Sequence, residues 1–255
     1  MINFSKLSEH AALIEIDNPP ANALGRAARQ AFHAHLDAIE TDASIRALVI
    51  TGSGRAFCSG DDLKEQEAAS REGLQARKVQ LGEFARLIER IEGFRIPVIA
   101  AVNGFSMGGG LELALSADIR IASNDASFVC AGVNVGLMAS VWRLPRLIGV
   151  ARAKHMLLTG LPVDAETAER FGIVAAVYKP DILRGEAATL AARIASRAPL
   201  SVEATKRMTA RALDLSREEA DTAGGKELEI LVASADHAEA LAAFREKRPP
   251  VFRRK

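Results

Sequence analysis

Pro97-Val98-Ile99-Ala100-Ala101-Val102-Asn103-Gly104-Phe105-Ser106-Met107-Gly108-Gly109-Gly110-Leu111-Glu112-Leu113-Ala114 decides how this chain is read. An unbroken apolar run from Pro97 to Val102 predicts a buried strand, Asn103-Gly104 predicts a turn, and three glycines lead into a helical start. The first amide groups of a helix have no partner inside it, and glycine lets an oxygen approach them without a side chain in the way. That is anion-binding geometry, and Glu112 falls in the first turn beside it. Two plainer readings stay open from these residues alone. Glutamate is common in a first turn because of the helix dipole, and a glycine run also permits close helix–sheet packing. A phosphate loop is excluded, because no Gly-Lys-Ser/Thr follows and no GxGxxG is present.

A second segment has the same build. Leu48-Val49-Ile50-Thr51-Gly52-Ser53-Gly54-Arg55-Ala56-Phe57-Cys58-Ser59-Gly60-Asp61-Asp62-Leu63 runs from strand to glycine loop to a polar helix start. It can present another backbone N–H to the same oxygen. Two donors make an oxyanion hole, whereas one makes only a turn.

Outward from these segments, strands and helices alternate, which predicts α/β packing with several crossovers. Residues 2–7 and 12–17 read as strands, and Ala28, Phe32, Leu36 and Ile39 mark one face of a helix. Residues 47–51 read as a strand, and Leu74, Leu81, Phe84, Leu87, Ile88 and Ile91 lie on a longer helix. Residues 118–122 and 173–177 read as strands, Asp164 caps a helix that stops at Gly172, and residues 181–244 read almost wholly as helix. The plan is an α/β core followed by a helical C-terminal section.

The 255 residues are 49% hydrophobic and 25% charged, which suits a globular chain with a large core. Lys and Arg (33) balance Asp and Glu (32), so no global field draws the protein to nucleic acid or an anionic membrane. No basic and aromatic residues interleave as in an RNA-binding surface. No apolar run is long enough to span a bilayer, and the start lacks the pattern of a secretory leader. Cys58 and Cys130 form no metal or disulfide pattern, so no metal is expected and a reduced, cytoplasmic compartment is. The five histidines are scattered, Asp118 reads as a turn or capping residue, and Trp142 reads as a pocket or core aromatic.

Together the two glycine segments resemble the crotonase superfamily, the enoyl-CoA hydratase/isomerase family, whose pattern is TGxGxAFCxGxDL followed by PVIAAVNGxxxGGGxELAL. Asn18-Pro19-Pro20-Ala21-Asn22-Ala23-Leu24, Arg143-Leu144-Pro145-Arg146-Leu147-Ile148-Gly149 and Phe244-Arg245-Glu246-Lys247-Arg248-Pro249-Pro250 are similar to that family's too. The resemblance implies an α/β fold, a spiral of repeated strand-strand-helix units with a helical C-terminal section. Residues 1–195 would form the core with its acyl-CoA site, and residues 196–255 an oligomerisation section. It implies that the N–H groups of Asp61 and Gly109 hold the thioester oxygen of an acyl-CoA and that Glu112 moves a proton. Ser59 would shelter the CoA adenine, and Phe244 and Lys247 would complete the CoA site of an adjacent subunit in a homotrimer or a dimer of trimers. Coenzyme A enters as part of the substrate, and no separate cofactor is implied.

The chain departs from the hydratase pattern at one point of the chemistry. Where hydratases carry a second glutamate, in FxxPEVxLGL, this chain reads Phe128-Val129-Cys130-Ala131-Gly132-Val133-Asn134-Val135-Gly136-Leu137. Gly132 takes the glutamate's place, and Met138-Ala139-Ser140-Val141-Trp142 replaces the family's Pro-Gly-x-Gly-Gly with a shorter loop. Hydration uses two carboxylates best, one to deprotonate water and one to protonate carbon. Glu112 alone suffices to move a proton between carbons, and an acyl-CoA-binding homologue with little or no turnover is the alternative.

Overall fold

The computed structural model describes residues 1–255. Its first hairpin pairs β1 (Ile2–Lys6) with β2 (Ala11–Ile16), antiparallel. After α1 (Arg26–Thr41) the chain builds a unit and repeats it. Strand β3 (Ala47–Gly52) joins the main sheet, a tight corner follows, β4 (Ala56–Cys58) joins a second sheet, and α2 (Leu63–Glu72) and α3 (Leu74–Glu92) return. Next come β5 (Val98–Val102) in the main sheet, β6 (Phe105–Met107) in the second, and α4 (Gly109–Ser116). The third unit has β7 (Ile119–Ser123), β8 (Ser127–Val129), a 3-10 turn at Val133–Val135, α5 (Arg143–Ile148) and α6 (Val150–Thr159). Strand β9 (Val163–Asp164), α7 (Ala165–Phe171) and β10 (Val177–Tyr178) complete the spiral. The main sheet runs β1-β2-β3-β5-β7-β10, parallel from β2 onward, and the second runs β4-β6-β8-β9. This is the α/β arrangement of strand-strand-helix units expected above.

The parallel strands are buried on both faces, as near-continuous apolar sequence requires. On one face Leu13, Val49, Ile99 and Ile121 pack against Leu183, Ala187, Ala191 and Ala195 of α8 (Pro180–Ala195). On the other, Ile14, Leu48, Ile50, Val98 and Ala100 join a larger cluster with Phe32 and Leu36 of α1 and Leu87 and Ile91 of α3.

One expectation needed correction, and a second was met in finer detail. Residues 173–177 are not one strand. Ile173 and Val174 are buried by the core while their amides bond back to Ala168, and hydrogen bonding to β7 begins only with the Ala175 amide. Buried apolar residues and strand residues look alike in a short run. The long helical tract divides into α8, α9 (Pro199–Ala210), α10 (Arg217–Val232) and α11 (Ala235–Glu246). Pro199 opens α9, Ser216 closes a capping box on α10, and Ser234 caps α11, each a start signal inside apparently continuous helix. No helix is long and apolar enough to cross a membrane.

Candidate active site

The corner between β3 and β4 and the corner between β5 and β6 are stitched by asparagine. Asn103 Oδ1 accepts the Gly52 amide at 2.9 Å, and its Nδ2 donates to the carbonyls of Gly54 and Ala56 at 3.0 and 3.2 Å. Asn22, fully buried, donates to the carbonyls of Ser53 and Ala56 at 2.8 and 2.6 Å. The loop beyond β4 then hangs from the stretch around Asn22. The Ser59 amide donates to the Ala21 carbonyl at 3.0 Å, and the Leu24 amide to the Gly60 carbonyl at 2.7 Å.

These anchors press the two glycine loops together. Gly60 has φ +90°, and a β-carbon on it would lie 2.7 Å from the Gly109 amide nitrogen. Any other residue at 60 is excluded both by backbone conformation and by contact with backbone atoms. From the other side, a β-carbon on Gly109 would strike the Phe84 ring of α3 at 2.6 Å. Next to this contact, the amides of Asp61 and Gly109 donate to no acceptor within the chain. Two free donors thus lie on touching loops.

The Asp61 side chain points into the protein. Its carboxylate pairs with the buried Arg29 guanidinium of α1, which also donates to the Leu24 carbonyl at 2.6 Å and reaches Glu83 at 3.3 Å. Burial pushes the Asp61 carboxyl upward against the pull of Arg29. With the side chain tied inward, only the backbone of Asp61 is left for the site. Asp62, next in sequence, caps α2 by accepting the Lys64 amide at 2.8 Å.

Glu112 sits in the first turn of α4 with its side chain 13% exposed. One carboxylate oxygen accepts the Ser140 hydroxyl at 2.7 Å, and the other accepts Arg143 Nη1 at 3.1 Å. Arg143 also grips Glu92, at the end of α3, at 2.7 and 3.3 Å. Burial works against the Arg143 charge, and the bonds and proximity of Glu92 and Glu112 outweigh it, raising its pKa. Cys130 lies in the same neighbourhood: burial first, and the Glu112 charge second, push its thiol up to about 11.

Gly132 opens the 3-10 turn, and the loop after it folds back so that the Leu137 amide donates to the Gly132 carbonyl at 2.8 Å. A β-carbon on Gly132 would lie 3.0 Å from the Leu137 carbonyl oxygen and 3.2 Å from the Ala139 nitrogen. Backbone of residues 137–139 thus crowds any side chain placed at 132. Trp142, half exposed, lies under the Arg146 guanidinium at 4.4 Å, and Arg146 reaches Asp214 at 2.5 Å.

The remaining sequence-derived residues make no hydrogen bond to Glu112 or to the two free amides. Ser59 is half-buried on the loop leading to Gly60. Phe244 projects from α11 with 85% exposure, Lys247 ends that helix at φ +54°, and α11 packs against α10. Asp118 holds the corner before β7, accepting the Val98 amide and Lys206 Nζ at 2.7 Å each, a turn role as expected. A cavity of about 1000 Å³ lies between α9, α10 and the end of α3, and its wall includes Glu92. The sequence alone does not single out Ser140 and Arg143 as partners of Glu112, nor Glu92 as the second partner of Arg143. Arg143 stood within a family-like stretch, and no local pattern points to the other two.

The comparisons with known proteins agree with this architecture along the whole chain. Residues 6–255 match the family model described as Enoyl-CoA hydratase/isomerase. The (E)-benzylidenesuccinyl-CoA hydratase of Thauera aromatica is 36% identical over 253 residues, covering 97% of each chain. A crystal structure of an enoyl-CoA hydratase from Bacillus anthracis superimposes with a TM-score of 0.95 at 31% identity, covering 100% of this chain and 99% of that one. An enoyl-CoA hydratase from Polaromonas sp. JS666 does so with a TM-score of 0.94 at 29% identity, covering 99% of each. The chain therefore belongs to the enoyl-CoA hydratase/isomerase family, within the crotonase superfamily.

Proposed function

We propose that this protein is an acyl-CoA enzyme that stabilises a thioester enolate between the Asp61 and Gly109 amides and uses Glu112 as its acid/base. The observation that carries this reading is the pair of unpartnered N–H groups on touching loops, with Glu112 in the first turn that follows. A thioester carbonyl oxygen bound there gains negative charge as the enolate forms, and one such donor is worth about 3–4 kcal/mol in a dry site. With an α,β-unsaturated thioester, the water oxygen bonds to Cβ and the C=C electron pair moves through Cα onto the carbonyl oxygen. Glu112 accepts the proton that water gives up and returns it to Cα, so that one water is added overall. With a β,γ-unsaturated thioester, Glu112 takes a proton from Cα and returns it to Cγ, shifting the double bond. The double-bond shift needs only one carboxylate, whereas hydration, which two carboxylates serve best, must here pass both proton transfers through Glu112.

The same reading assigns Ser59 to the CoA adenine, and Phe244 and Lys247 to the CoA of a neighbouring subunit, with residues 196–255 supplying the contacts of a homotrimer or a dimer of trimers around a core of residues 1–195. The exposure of Phe244 on α11 supports a role outside its own chain. Two buried free thiols suit a reducing cytoplasm. The names of the relatives support an acyl-CoA thioester as substrate.

The test is turnover of a panel of α,β- and β,γ-enoyl-CoA thioesters by wild type and Glu112→Gln. A loss of about 10²–10⁴-fold in kcat is expected for Glu112→Gln. Equal rates would remove Glu112 from the reaction. The crowding at Gly132 favours one second reading, an acyl-CoA-binding protein without turnover. Tight binding of the panel with no product in any case would select it.

A further inference from the structure

Ser140 occupies a backbone conformation that its side chain disfavours. Its φ is +58°, in the left-handed region, and it is only 6% exposed. For a residue with a β-carbon that region is uphill, and strain of this kind persists where the surroundings require the side chain. The flanking residues do not supply the reason: Met138 is 80% exposed, Val141 53% and Trp142 50%. The backbone of Ser140 has one visible task, its carbonyl accepting the Leu144 amide at 3.1 Å at the start of α5, and glycine would perform it equally. What glycine lacks is the hydroxyl, which lies 2.7 Å from Glu112 Oε1.

We propose that Ser140 is a positioning residue for the Glu112 acid/base. Its hydroxyl and Arg143 each hold one oxygen of the carboxylate, so the remaining lone pairs keep a single direction toward the substrate carbon. A hydroxyl donates a hydrogen bond to the carboxylate while adding no charge, which orients Glu112 without a second base beside it. The loop that folds its backbone against Gly132 also delivers Ser140 to Glu112. The inference rests on Glu112 being the proton carrier, as proposed above.

Ser140→Gly and Ser140→Ala are compared with Glu112→Gln in kcat, KM, exchange of the thioester α-proton in D2O, and Tm. In Ser140→Gly, kcat and exchange are expected to fall about 10- to 100-fold, KM to stay within about twofold, and Tm to hold or rise, because the strain is relieved. Ser140→Ala keeps the strain and loses the hydroxyl, so it is expected to show the same fall in kcat with a lower Tm. Wild-type kcat in Ser140→Gly with an inactive Glu112→Gln overturns the role of Ser140 and leaves Glu112 standing. A fall in activity in Ser140→Gly that comes with a lower Tm and a raised KM marks a structural role and overturns it too. Wild-type rates in Glu112→Gln, or neither turnover nor exchange in wild type, overturn both readings together.

Discussion

Gly60 and Gly109 meet backbone to backbone: a β-carbon on Gly60 would lie 2.7 Å from the Gly109 amide nitrogen. The contact joins a loop from the first repeating unit to a helix start in the second, and it involves the free Gly109 amide and adjoins the free Asp61 amide in sequence. Gly60→Ala introduces both a clash with backbone and an L-residue at φ +90°. If the contact sets the spacing of the two donors, the variant loses about 100-fold or more in kcat/KM, comparable to removal of one oxyanion donor. Steady-state kinetics beside a thermal melt check this, and near-wild-type kcat/KM in a folded variant would refute it.

Gly132→Glu restores the hydratase residue in the sequence without restoring its space. The new β-carbon meets the Leu137 carbonyl at 3.0 Å and the Ala139 nitrogen at 3.2 Å, and the loop must shift to admit it. Destabilisation of about 1–3 kcal/mol is expected, with no gain in hydration rate. Denaturant unfolding and the enoyl-CoA panel measure the two effects separately. A gain in hydration at unchanged stability would show that the loop yields freely.

Glu203 links α9 to the C-terminal residues through Arg254 at 2.9 and 3.0 Å and to Arg95 at 2.8 Å. Burial pushes this carboxyl up, but the bonds from Arg254 and Arg95 outweigh it and leave the pKa below the ordinary value of 4.5. A lowered carboxyl pKa stabilises the fold above the unfolded-state value, and the contribution is lost as pH falls through the folded-state value. Wild type is therefore expected to lose Tm more steeply than Glu203→Gln between about pH 5 and pH 3. At pH 7 the variant should be less stable by roughly 2–3 kcal/mol, since two cations lose their shared partner. Parallel slopes in melts across that window would contradict the assignment.

Burial raises the Cys58 thiol to about 12 and the Cys130 thiol to about 11. Both stay protonated near pH 8, and the thiolate is the reactive form. Native protein is expected to release almost no colour with Ellman's reagent, and denatured protein two equivalents, one for each free cysteine. Rapid native labelling of either residue would place it at the surface.

Much of the site was legible because its function is written in local backbone chemistry. The approach through β5, the turn at Asn103-Gly104 and the helix start at Gly109 follow one another in sequence, so periodicity and glycine placement locate them. Strands β4, β6 and β8 are three residues each, too short for any period to show, and they were absorbed into loops. The partners of Glu112 were hidden for another reason. Ser140 and Arg143 lie 28 and 31 residues away and reach it through the tertiary path of a loop whose shortening was visible but whose course was not. Gly132 was legible as an absence. That neighbouring backbone crowds its side-chain position depends on the fold of residues 137–139.

The central claim is that the Asp61 and Gly109 amides polarise a thioester carbonyl. The most direct measurement is the infrared stretch of a carbonyl-13C enoyl-CoA bound to Glu112→Gln, with the isotope isolating that one bond from the protein amides. Two hydrogen bonds to the oxygen lower the carbonyl stretch relative to free thioester in water, and this shift is expected in the variant because the hole does not depend on Glu112. A bound thioester whose stretch matches the free one would contradict the oxyanion-hole assignment, whatever the turnover numbers show.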